Sequence, residues 1–151
     1  MDQIIPQDIA DWFISRFDED DAGVSHLKLQ KLVYYAQAWS LSLNEASLFD
    51  EDFEAWAHGP VVPSLWRDFR DFGWDNLPVP KSRPEFDEDT ENLLEDVYGA
   101  YGEYSAKRLE AMTHREDPWL KARGTLQPED KSNKKISKSA LRKYYTALIK
   151  E

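Results

Sequence analysis

The 151-residue chain contains no cysteine. Disulfides, thiol nucleophiles and thiolate metal sites are therefore excluded. Histidine is scarce: His26, His58 and His114 stand far apart, and no pair has the i, i+4 spacing of a helical metal site. No apolar run approaches the roughly 20 residues that cross a bilayer. The start, MDQIIPQD, lacks the positive region and apolar stretch of a signal peptide. The six glycines are scattered, and none forms a phosphate-cradling loop. There is no Gly-x-Ser-x-Gly, and Ser25 beside His26 suits a helix cap better than a nucleophile. These absences predict a cytoplasmic protein with no catalytic residues, no metal and no cofactor.

What the chain does have is apolar and acidic. Apolar residues make up 41% and aromatics 13%, with six tryptophans, enough to build a core. The formal net charge is −10 and is unevenly spread. From Lys131 onward the balance is +6, and before it −16. An acidic body repels phosphate backbones and favours a basic partner, so nucleic acid is not an expected ligand. The basic tail segment suggests a helix docked on the acidic body.

Residues 25–44 read as the longest and most apolar helix. A turn of about 100° per residue puts Leu29, Leu32, Val33, Tyr35, Ala36, Trp39 and Leu43 in one arc. Leu27, Tyr34, Ala38 and Leu41 form a second stripe. Only narrow polar strips remain, Gln30 with Gln37 and Lys31 with Ser42. A helix apolar on two sides is buried on two sides, so this one is central.

Around it, Ile9, Trp12, Phe13 and Phe17 mark a first helix from Pro6 or Gln7. Phe53, Ala55 and Ala57 alternate with polar or amphipathic residues, which predicts a short strand near 52–58, broken at Gly59-Pro60. Leu48-Phe49 or the Val79 region is its expected partner. Pro63 opens a helix that stops at Gly73, and helical spacing assigns Trp39 and Trp66 to the core. Prolines make 74–84 an extended surface loop. Further helices are expected over 87–101, after Ser105, and from an Asp117 cap through Pro118 to Gly124. The last helix is capped by Ser137, with Ile136, Ala140, Leu141, Tyr144 and Leu148 inward and Lys138, Arg142, Lys143 and Lys150 outward. The expected fold is mainly α: one single-domain helical bundle over 1–151, packed around the central helix, with one short strand or hairpin.

The run LKLQKLVYYAQAWSLSLN, then LFDEDFEAWAHGPVVPSLWRDFRDFG, then THREDPWLKARG resembles the Panacea domain. This is the SocA-like family, also labelled phage-associated GepA-type proteins. The motif positions are Lys31, Tyr34, Tyr35, Trp39, Ala55, Trp56, His58, Gly59, Pro60, Val61, Pro63, His114, Pro118 and Trp119, with Glu116 inside the last block. Most read as structural: Gly59-Pro60 a turn, Pro118 a helix start, Tyr35 and Trp39 core. The resemblance implies a mostly helical antitoxin that binds a toxin encoded by an adjacent gene. One alternative is an adaptor that delivers the toxin to an ATP-dependent protease. Others are a small nucleic-acid-binding regulator using the last helix, and a hydrolase built around His58 and His114. Tyr34, Gln37 and Trp74 are the expected partner contacts, Trp74 because it follows the stop at Gly73 and enters a proline-rich loop.

Overall fold

The computed structural model describes residues 3–127 and 129–149. The expected outward Lys150 lies outside them. Among the described residues there are seven α-helices and a small three-stranded sheet. Helix α1 (Pro6–Glu19) starts with proline, and the Asp8 carboxylate accepts from the Ile5 amide at 3.0 Å. It buries Ile9, Trp12, Phe13 and Phe17, the face the spacing predicts.

Helix α2 (His26–Leu43) is central, with Ser25 as its N-cap. Of its expected polar strips, Gln30, Lys31 and Gln37 do not face water, and only Ser42 is partly open. Gln30 accepts from the Val62 amide at 3.1 Å, and its amide group lies 3.0 Å from the His26 ring. Gln37 accepts from the Leu48 amide at 2.6 Å and donates to the Phe49 carbonyl at 2.9 Å. Two side-chain amides thus tie passing backbone to a buried helix. That solves the need of buried polar groups for partners. Leu43 departs from its expected arc and is 54% exposed, because the helix ends there.

Strand β1 (Phe53–Trp56) pairs antiparallel with β2 (Gly59–Val61) on one side and β3 (Lys135–Ile136) on the other. Ala55 lies opposite Pro60, and Phe53 opposite Ile136. The expected hairpin is present, but its turn lies at 57–58: Gly59, at φ +109°, and Pro60, read as the turn, instead open the second strand. The other partner comes from residue 135, not from Leu48-Phe49 or Val79. Pro60 is tolerated because β2 is an edge strand, where a missing donor costs little.

Helix α3 (Pro63–Phe69) continues as a 3-10 turn to Phe72 and stops at Gly73 (φ +57°). Only Leu65 of α3 is buried; Trp66 is half-buried, so its spacing overstated its depth. Trp39 likewise sits at the rim of the core. The following loop is pinned where the Leu77 amide donates to the Val24 carbonyl. Helix α4 (Glu88–Tyr101) is capped by Asp87, and α5 (Ala106–Thr113) by Ser105. Helix α6 (Asp117–Arg123) starts one residue earlier than expected, with Glu116 rather than Asp117 at the cap position. Helix α7 (Lys138–Ile149) is capped by Ser137 and packs on α2. Its buried residues are Leu141 and Tyr145, where the spacing pointed to Tyr144. Its basic side is tied to acidic surface: Lys138 meets Asp52 at 2.7 Å, and Arg142 meets Glu45 at 3.0 Å. Among the described residues, no helix is long and apolar enough to cross a membrane.

Candidate functional site

Two buried polar clusters gather most of the motif residues. The first lies under the β1–β2 turn. Lys31 of α2 is 1% exposed, and its ammonium has no hydrogen-bond partner among the described residues. Burial lowers its pKa to about 8, against a smaller upward pull from the Glu110 carboxylate. The chain can pass over this side chain only at a glycine. A Cβ on Gly59 would sit 2.6 Å from Lys31 Cε and 3.0 Å from Thr113 Oγ1.

Glu110 of α5 collects both nearby imidazoles, His58 Nδ1 at 3.4 Å and His114 Nε2 at 3.9 Å. His114 stacks on Trp119 with centroids 4.0 Å apart, and burial lowers its pKa. Trp119 donates to the Trp56 carbonyl at 2.8 Å. Arg123 lies over the Trp119 ring and donates to three carbonyls, of Ala55 (2.9 Å), Gln127 (2.6 Å) and Asp130 (2.6 Å). The sheet, α5, α6 and the backbone at Gln127 and Asp130 are thereby fastened at one point.

The second cluster centres on Glu116. Its Oε1 accepts from Tyr35 at 2.9 Å and from Tyr145 at 3.0 Å. The Tyr145 hydroxyl also lies 3.3 Å from that of Tyr34. Tyr35 stacks on Tyr101 at 4.1 Å, and Trp39 donates to the Tyr101 hydroxyl at 2.9 Å. Burial raises the pKa of Glu116 and of Tyr34, Tyr35 and Tyr145, so the phenols stay protonated and keep donating. The cluster joins α2, α4, α6 and α7.

The structure does bring His58 and His114 to a shared carboxylate, as the hydrolase alternative requires. His58 is exposed, with 74% of its side chain open to solvent, whereas His114 is packed into a junction against Trp119. Lys31 Nζ and His114 Nε2 are buried, whereas a base or nucleophile must reach its substrate. Among the described residues, no group of three or more His, Cys, Asp or Glu side chains could hold a metal ion.

Of the three expected partner contacts, two are corrected. Tyr34 is fully buried against Phe53 and Tyr145, and Gln37 is spent on the 48–49 backbone. A partner cannot touch either without opening the core. Trp74 is 77% exposed, near the partly exposed Phe72 and Val79. Ala55, Val61 and Pro60 are buried in the sheet, Pro63 opens α3, and Pro118 sits in the first turn of α6. Sequence reading passed over Glu110, Thr113, Arg123 and Tyr145. An acid or arginine in a charged stretch carries no sign of being buried, and the adjacent pair Tyr144-Tyr145 hides which ring turns inward.

Residues 29–120, which contain both clusters except Arg123, the Gln127 and Asp130 carbonyls and Tyr145, match the family described as "Antitoxin SocA-like, Panacea domain". The chain belongs to the SocA-like, Panacea-domain family. Antitoxin SocA of Caulobacter vibrioides (strain NA1000 / CB15N) is 33% identical over 112 residues, 66% of this chain and 60% of that protein. The chain thus spans about 60% of the length of the curated relative it matches. No solved structure matches. In this Panacea domain, the LKLQKLVYYAQAW helix supplies Lys31 and Tyr35; the block around 114–119 supplies the Glu116 carboxylate that accepts from Tyr35, whereas the carboxylate that pulls on Lys31 is Glu110 of α5.

Proposed function

We propose that this chain is a cytoplasmic antitoxin that neutralises a cognate toxin, encoded by an adjacent gene, by direct protein–protein binding. The family match over residues 29–120 carries this reading. The site chemistry supports it: the motif side chains are largely committed to one another, which suits a rigid scaffold and leaves recognition to the outer surface. Trp74, 77% exposed, is one contact it offers.

The test is co-expression with the product of the neighbouring gene. That product should arrest growth alone, be harmless beside this chain, and co-purify with it. Persistent lethality beside this chain, or a harmless gene product, defeats the reading. Toxin half-life separates masking from delivery to a protease: masking leaves it unchanged in protease-deficient cells, whereas an adaptor's toxin would be longer-lived there.

A further inference from the structure

Among the described residues, no element covers the outer face of α7, which forms a ridge. Ser139, Ala140, Lys143 and Ala147 recur at helical spacing along it. On its α2 side runs a groove of about 640 Å³ lined by Leu41, Lys138, Arg142 and Lys143. On its α6 side runs a second of about 320 Å³, between Pro118, Lys121 and Tyr144. Lys143 and Ala147 border both. Small side chains on the crest let another backbone come close, and paired grooves accept the side-chain rows of a helix. Leu120 on α6 and Leu148 near the end of α7 add exposed apolar surface.

Charge selects the occupant. The first groove is bordered by three cations and no carboxylate, in a chain of net charge −10. Lys138 and Arg142 already hold Asp52 and Glu45, and Lys121 in the second groove holds Asp117 at 3.6 Å. Exposed Lys143, which faces both grooves, makes no ion pair among the described residues. We infer that this face docks an amphipathic helix of the toxin, with its small apolar residues on α7 and a carboxylate against Lys143; this rests on the antitoxin reading. An acidic helix is drawn to α7 and repelled by the remaining acidic surface, which fixes where it lands. Duplex DNA is repelled by that same surface.

The test is the affinity of the purified neighbouring-gene product for four versions of the full chain. These are the wild type, Lys143→Glu, Ala147→Arg and the control Lys107→Glu, which makes the same charge change on exposed α5. All substituted positions are exposed, and an unchanged thermal melt verifies folding. Lys143→Glu and Ala147→Arg are expected to weaken binding about tenfold or more, and Lys107→Glu less than about threefold. Full affinity in both α7 variants, or an equal loss in the control, overturns the inference while leaving the antitoxin reading intact. Failure of the wild type to bind defeats both. Binding of a 30-base-pair duplex at low salt, abolished by Lys143→Glu, would also overturn it by assigning the face to nucleic acid.

Discussion

Lys31 shows how much one side chain can cost and still be kept. Its ammonium is buried without a hydrogen-bond partner among the described residues, and a glycine at 59 is needed to make room for it. The pKa of about 8 is lowered from the ordinary lysine value of 10.5 by burial. Below pH 8 both folded and unfolded chains carry the charge, and the folded state bears the desolvation cost. Between 8 and 10.5 the unfolded chain binds more protons, so stability must rise with pH. Denaturant unfolding from pH 7.5 to 9.5 should show this rise in the wild type. Lys31→Met should flatten it and be more stable at pH 7, by on the order of 1 to 3 kcal/mol. A flat wild-type profile, or a less stable variant, would show that the ammonium finds compensation in solution. His26 acts in the same sense at lower pH. Burial first, and Lys31 second, lower its pKa from 6.5 to about 4, so it stays neutral while the unfolded chain protonates.

At the scale of elements, short pieces are held by polar clamps more than by their own length. A four-residue strand, a three-residue strand and a two-residue strand make a marginal sheet. Arg123 compensates by donating to the Ala55 carbonyl of β1 and to those of Gln127 and Asp130 at once. Its planar fork reaches several acceptors that a single ammonium cannot. Arg123→Lys should therefore destabilise the chain by about 2 kcal/mol or more although the charge is kept. Hydrogen exchange should rise first at the Ala55 amide, which donates across the sheet to Lys134 at 2.8 Å. A variant as stable as the wild type would mean that the α6–β1 contact is not needed. Helix α7 is held in a comparable way, by Tyr145 on Glu116 at one end and by Lys138 on Asp52 at the other.

For the whole molecule, the dominant long-range quantity is a net charge of −10. Self-repulsion of this size opposes compactness and is screened by salt. The melting temperature should rise by a few degrees as NaCl goes from about 10 to about 200 mM. A fall would mean that the attractive pairs on α7 and the α1–α4 pair of Arg16 with Glu95 outweigh the repulsion. The separation of a negative body from a positive C-terminal segment also orients encounters. A partner meets attraction on one face and repulsion elsewhere.

Periodicity, caps and breakers determined the helices. Apolar spacing fixed the inner face of α1; Ser25, Ser105 and Ser137 marked starts; Gly73 and Gly124 marked stops. All of these act within a turn or two, so neighbouring residues suffice to read them. The motif blocks carried the family for the same reason, since their order is itself a sequence property. Tertiary structure alone decided that Gln30 and Gln37 face inward, that β3 completes the sheet, and that Lys31, Glu110 and His114 share one buried site. Each of those depends on which distant segment supplies a hydrogen-bond partner or removes water. A polar residue looks the same in sequence whether its partner is solvent or a strand eighty residues away.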